Sequence, residues 1–185
     1  MRVIAGIYKG RRLETVADNS VRPATDKVKG AIFNVLQSRV DWTNATVLDL
    51  YAGSGSIGIE ALSRGAKKCI FVEKSRTAFQ FLAANVKQLD ADPTTHVVYG
   101  DVDVFLKSIR STFTVVFADP PYALETLKDL PNKIFETGIV AHDGYLIIEH
   151  PTRFEFVPSS LWEVAVLKVY GNTSVSFFQH RKSEP

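Results

Sequence analysis

Thr46-Val47-Leu48-Asp49-Leu50-Tyr51-Ala52-Gly53-Ser54-Gly55-Ser56-Ile57-Gly58 runs from an apolar strand through a glycine turn into a helix. That order of elements opens a parallel α/β sheet whose ligand edge lies at the turn. Gly53 and Gly55 remove side chains that would block a ligand, and Gly58 lets the helix pack close. The spacing also satisfies G-x-G-x-x-G, so a dinucleotide site is one reading.

Working outward, the same alternation repeats. A helix over 57–64 ends at Gly65, which serves as a C-terminal cap. Strand 68–72 leads to a helix capped by Ser75, with Ala78, Leu82, Val86 and Leu89 on one stripe. Strand 96–99, a short helix over 102–109, strand 113–118, a helix over 123–137 and strand 144–149 follow. Buried apolar strands between amphipathic helices predict a doubly wound, mostly parallel sheet. Strands 162–170 and 174–180 are joined through Gly171-Asn172, too short for a crossover helix, so the last two of seven strands pair antiparallel. Upstream, 2–5 and 12–16 read as a β-hairpin arm turning at Tyr8-Lys9-Gly10. After a turn at Asp18-Asn19-Ser20 comes a helix with Val28, Ile32, Val35 and Leu36 at helical spacing, and Thr25 or Asp26 as its N-cap. Gly30 inside it costs ~1 kcal/mol against alanine.

The chain of 185 residues suits a single domain. One cysteine, Cys69, rules out an internal disulfide and suits a reducing, cytoplasmic setting. No apolar run approaches the ~18 residues of a membrane span, and the first residues do not form a signal peptide. The four histidines are scattered and no metal site is expected. The net charge of +2 hides an asymmetry: residues 1–40 carry eight Lys/Arg against three acids, and 41–185 carry 14 against 17. A basic extension over 1–40 on a slightly acidic core over 41–185 points to a polyanionic partner. Its candidate contacts are Arg11, Arg12, Arg22 and Lys27.

Acids recur at successive strand ends. Asp49 precedes the Ala52-Gly53-Ser54-Gly55 turn, where it faces a ligand's ammonium group and repels a pyrophosphate. Glu73 is placed for ribose hydroxyls, a device that dinucleotide sites share. Asp101 can accept from an adenine amine while the Val102 N–H donates to the ring. Together they favour S-adenosylmethionine over NAD. The fourth strand ends in Asp119-Pro120-Pro121-Tyr122. A carboxylate, a carbonyl fixed by two prolines and an aromatic face are what an enzyme needs to hold a flat ring and its exocyclic amine. Asp119 suits an orienting acceptor better than a base, its ordinary pKa of ~4 being poorly matched to proton abstraction. Glu149-His150-Pro151, after the fifth strand, has no assigned role.

The chain resembles the bacterial small-subunit (16S) ribosomal RNA guanine-N2 methyltransferase family. The resemblance spans nearly the whole chain. It is carried by Arg2-Val3-Ile4-Ala5-Gly6, Tyr8-Lys9-Gly10-Arg11-Arg12-Leu13, Arg22-Pro23-Ala24-Thr25-Asp26-Lys27-Val28-Lys29, Ile32-Phe33-Asn34, the glycine turn, Gly58-Ile59-Glu60-Ala61-Leu62-Ser63-Arg64-Gly65 and Asp119-Pro120-Pro121-Tyr122. It implies a seven-stranded Rossmann-like methyltransferase sheet and S-adenosylmethionine as methyl donor. It further implies a guanine N2 target in 16S rRNA of an assembling or assembled small subunit, contacted by the basic arm. Ala24 stands where the family usually has threonine, and Gly30 where it usually has glutamate. Competing readings are a DNA adenine-N6 or cytosine-N4 methyltransferase, an NAD-dependent oxidoreductase and a non-catalytic RNA-binding assembly factor.

Overall fold

The strands alternate between two apolar clusters, and this parity organises the molecule. The computed structural model describes residues 1–15, 24–121, 123 and 125–182, with backbone alone at Ala24 and Thr25. Strands β1 (Thr46–Leu50), β2 (Lys68–Glu73), β3 (Thr95–Tyr99), β4 (Phe113–Ala118), β5 (Val140–Pro151), β6 (Trp162–Tyr170) and β7 (Thr173–His180) form one sheet in the order β3-β2-β1-β4-β5-β7-β6. The first five run parallel; β7 is antiparallel to both β5 and β6. This is the predicted doubly wound sheet with its antiparallel end.

Helices α1 (Ala24–Leu36), α2 (Ser56–Ser63) and α3 (Arg76–Gln88) cover one face; α4 (Val102–Ser108) and α5 (Leu130–Glu136) cover the other. Val47, Phe71, Phe117 and Ile147 point into the first cluster, and Leu48, Val72, Ala118 and Ile148 into the second. The chain reverses direction across the sheet between β1 and β4. A crevice therefore opens at their carboxyl ends, the usual ligand site of such folds.

The glycine turn meets two packing demands. Gly55 has φ +82°, and a Cβ there would lie 2.3 Å from Leu82 Cδ1. A Cβ at Gly58 would lie 2.3 Å from the Phe71 ring and 2.7 Å from Cys69 Sγ, so α2 approaches β2 as closely as predicted. Gly65 N–H bonds the Leu62 carbonyl at 2.9 Å and Ala66 N–H the Ala61 carbonyl at 3.0 Å, closing α2 as a Schellman motif. Ser75 caps α3 through the Ala78 N–H at 3.4 Å.

Several local expectations need correction. The arm keeps a hairpin-like course with only one ladder bridge, Arg2 with Arg12; its limbs are joined by Val3 N–H to the Arg11 carbonyl at 3.0 Å, Gly10 N–H to the Val3 carbonyl at 2.9 Å and Leu13 N–H to the Met1 carbonyl at 3.0 Å. The N–H groups of Ile4, Ala5, Ile7 and Tyr8 turn to Glu60 and Ser63 of α2, so the ladder does not extend into two regular strands. Helix α1 begins at Ala24, so Thr25 and Asp26 lie in its first turn rather than at its cap. The expected helix over 123–137 is shorter: a 3-10 turn, Leu127–Asp129, precedes α5, because Pro131 is tolerated only in a helix's first turn. Strand β5 starts at Val140, not Gly144, with a register shift against β4 between Phe113 and Val115. The turn at Asp18–Ser20 and residue 16 lie outside the described residues. A Cβ at Gly30 would meet only Ile4 Cδ1, at 3.7 Å, so nothing in the packing requires glycine there.

Candidate active site

Asp49 lies two residues beyond Val47 on β1, Glu73 two beyond Phe71 on β2, and Asp119 two beyond Phe117 on β4. Strand alternation therefore brings all three carboxylates to the same face at the carboxyl edge. A cleft of about 180 Å³ there is lined by Asp49, Ala52, Gly53, Ser54 and Asp119. Lys29, Tyr51, Ser56 and Glu149 complete its polar wall. Five of the residues singled out in the sequence thus meet in one place.

The turn is held from both sides. Gly58 N–H donates to Asp49 Oδ2 at 2.9 Å, tying the start of α2 to β1. Glu73 accepts from Gly53 N–H at 2.7 Å and from Ser75 N–H at 2.6 Å, so it joins the turn to the next helix. Tyr51 adopts φ +57°, a conformation bulky residues avoid, at the point where β1 enters the cleft. Burial pushes its hydroxyl up to about 12, aided by Asp103 and Asp101.

Asp49 is 4% exposed and accepts a hydrogen bond from the Gly58 N–H of α2. Burial pushes its carboxyl up to about 8; the Gly58 N–H opposes that shift, and the charges of Asp119 and Glu73 add to it. The edge is short of positive charge. Among the described residues, Lys29 is the one Lys, Arg or His side chain lining this cleft. Such a set of carboxylate acceptors fits a cationic ligand bearing an ammonium group and a ribose diol, as S-adenosylmethionine does. It does not fit a pyrophosphate, which would face Asp49, Asp119 and Glu149, so the glycine pattern does not make an NAD site.

Lys29 and Glu60 escaped the sequence reading. Lys29 is 2% exposed and its ammonium donates to the Arg2 carbonyl at 2.7 Å and to Ser56 Oγ at 3.0 Å. Burial lowers its pKa, while Glu60 and Asp26 raise it. Glu60 is fully buried and accepts from the Ile4 N–H at 2.7 Å, the Ala5 N–H at 3.1 Å and Arg64 Nε at 2.8 Å. A signal was present: Lys29 heads the buried stripe Ile32, Phe33 and Leu36 at spacings of three, four and seven.

The remaining candidates that the structure describes are not among the residues lining this cleft. Asp101 caps α4 through the Asp103 N–H at 2.9 Å and pairs with Lys74 at 3.6 Å. Val102 is buried in the core beneath it. Pro120 is buried and Pro121 exposed; Tyr122 and Arg22 lie outside the described residues. Of the basic residues, Arg12 and Lys27 line two adjoining grooves between the arm and α1, together with Arg2 and Lys9, which the sequence reading did not select. Met1 lines both the Arg12 groove and the cleft at the end of β1, so the two adjoin. Arg11 turns away and bonds the Gln88 carbonyl at 3.0 Å. His150 is structural: its ring bonds the Pro151 carbonyl at 2.9 Å and Ser176 Oγ at 2.8 Å. Among the described residues, no three His, Cys, Asp or Glu side chains are placed to hold a metal ion, and no helix is long and apolar enough to cross a membrane.

Comparison with known proteins agrees with this geometry. The family profile described as "Conserved hypothetical protein 95" matches residues 1–179. The chain is 40% identical over 186 residues to "Putative rRNA methyltransferase YlbH" of Bacillus subtilis, covering 98% of this chain and 100% of that one. It is 31% identical over 181 residues to "Ribosomal RNA small subunit methyltransferase D" of Escherichia coli, covering 97% and 89%. The solved structure "Putative methyltransferase yhhF from Escherichia coli" superposes with a TM-score of 0.85 at 30% identity, covering 99% of each chain. The structure of SMU.776, a putative methyltransferase complexed with SAH, superposes at 0.63 with 16% identity over 82% of this chain and 48% of that one, a likeness of fold alone.

Two outcomes are expected. Glu60→Ala strands buried donors and should lower stability by about 3–5 kcal/mol, with faster hydrogen exchange over residues 3–8; a loss under about 1 kcal/mol by denaturant unfolding would contradict its structural role. The folded pKa of Asp49, about 8, lies above its ordinary 3.8. The folded state thus keeps the proton longer, and this group's contribution to stability falls as pH rises from about 4 to about 8. Asp49→Asn should therefore gain on wild type between pH 5 and pH 8, by at most about 1.4 kcal/mol per pH unit; an unchanged difference would contradict it.

Proposed function

The chain belongs to the conserved hypothetical protein 95 family, and on that premise we propose that it is an S-adenosylmethionine-dependent rRNA methyltransferase acting on the exocyclic N2 amine of a guanine in 16S rRNA. The observation that carries this reading is the single cleft that brings Asp49 and the glycine turn of β1 against Asp119 at the end of β4.

In this reading Asp49 receives the donor's ammonium group and Glu73 its ribose hydroxyls. Asp101 and the Val102 N–H serve the adenine, and Ala52, Gly53, Ser54 and Gly55 allow close approach. S-adenosylmethionine, when bound, supplies a methyl group on a sulfonium. A base amine is a weak nucleophile because its lone pair is delocalised into the ring. Asp119 and the Pro120 carbonyl both accept, so they hold the two N–H bonds and favour a pyramidal nitrogen with its lone pair released. The two prolines restrict where that carbonyl points. Tyr122 is assigned to stacking on the base, a contact worth ~1–3 kcal/mol. Rate enhancement then comes chiefly from positioning. A base within a helix must first be flipped out.

The basic grooves support an RNA partner. Arg2, Lys9, Arg12 and Lys27 line grooves that adjoin the catalytic cleft at Met1. Phosphates along those grooves would deliver a flipped base to Asp119, with Arg11 and Arg22 assisting from the same basic segment. The small ribosomal subunit, assembling or assembled, is the proposed setting.

Asp119→Ala should lower turnover on the order of 10²- to 10³-fold and leave S-adenosylhomocysteine affinity within a few-fold by calorimetry. Turnover near wild type would remove Asp119 from the amine-holding role.

A further inference from the structure

Glu149, the residue after Ile148 on β5, has no part in the reaction as described so far. Strands β4 and β5 run parallel with Ala118 beside Ile148, so Asp119, just past the end of β4, neighbours Glu149, which stays within β5 opposite Val175 of β7, on strands ~4.8 Å apart. Phe117 and Ile147 belong to the cluster beneath α1, α2 and α3, and Ala118 and Ile148 to the opposite cluster. Alternation therefore turns Asp119 and Glu149 to the same face, and both line the catalytic cleft. Glu149 is half-buried. It already takes part in an interaction within the protein, and a carboxylate has about four lone-pair sites with which to accept further donors.

Resting on the guanine-N2 reading above, we propose that Glu149 is the base-selecting residue, accepting the guanine N1–H while Asp119 accepts from the N2 amine. On its Watson–Crick edge, guanine places a ring N–H donor beside the exocyclic amine. Adenine and cytosine place a ring-nitrogen lone pair there instead. Two adjacent carboxylates complement the guanine pair of donors and oppose the other two edges, where an acceptor would face an acceptor. A site built to accept a substrate N–H rejects analogues lacking it, because its own acceptor is then left unpaired. Asp119 alone accommodates any of the three amines; the second carboxylate makes the choice.

2-Aminopurine separates the two carboxylates, because it keeps the 2-amine but presents a lone pair at N1. An RNA spanning the methylated position, carrying guanine or 2-aminopurine at the target, is assayed for kcat/KM with wild type and Glu149→Gln. Wild type should prefer guanine by at least roughly 10- to 100-fold. In Glu149→Gln, whose amide can donate to N1, the guanine rate should fall and the preference shrink to within a few-fold. Unchanged S-adenosylhomocysteine affinity shows that the variant is folded; should it not fold, Glu149→Ala is read the same way. The same preference in wild type and variant would overturn the assignment, as would wild type methylating both RNAs equally. Failure of the guanine-N2 reading itself is distinct: wild type would then leave the guanine RNA without N2 methylation.

Discussion

Three donors close on the Glu60 carboxylate, which is wholly removed from solvent: the N–H groups of Ile4 and Ala5 and the Arg64 guanidinium. The Lys29 ammonium stands 3.8 Å away. These four come from the arm, α1 and α2, so one buried charge ties the basic extension to the helix that carries the glycine turn. Arg64 also lies 4.8 Å from the centre of the Phe33 ring on α1, adding a cation–π contact to the same junction. A buried carboxylate is tolerable only when so surrounded. The arrangement couples the surface that would meet RNA to the edge that would perform chemistry.

The second constraint is the sheet's parity. Because β1, β2, β4 and β5 are in parallel register, Asp49, Glu73, Asp119 and Glu149 emerge on one face of one edge. Four acids so close are electrostatically unfavourable without a compensating cation or donor. Within the protein, the Gly53 and Ser75 N–H groups serve Glu73 and the Gly58 N–H serves Asp49. A cationic methyl donor and an N–H-rich base edge are the ligands that such a surface favours.

Much of this was legible in the sequence. The glycine turn, the capping Ser75 and the alternation of apolar strands with striped helices foretold the sheet, because each is a local demand met locally. The arm's hairpin-like course was legible, but not its docking: the N–H groups of Ile4, Ala5 and Tyr8 are satisfied by Glu60 and Ser63, more than fifty residues away, and no pattern within residues 2–16 reveals such partners. Glu60 looks like a surface charge until the packing of α1 and the arm on α2 buries it, whereas Lys29 is marked only by its place at the head of a buried stripe. Arg11 and Arg12 are indistinguishable in sequence; the turn of the arm sends one to Gln88 and leaves the other on the groove. Asp101, chosen for an adenine, also carries out the ordinary work of a helix cap.

Nucleoside analysis tests the central claim most directly. Wild-type protein is incubated with methyl-labelled S-adenosylmethionine and unmodified small-subunit rRNA, and the RNA is digested to nucleosides. Label recovered in N2-methylguanosine is the predicted result. Label in N6-methyladenosine or N4-methylcytidine, or none at all from protein that binds S-adenosylhomocysteine, would contradict it.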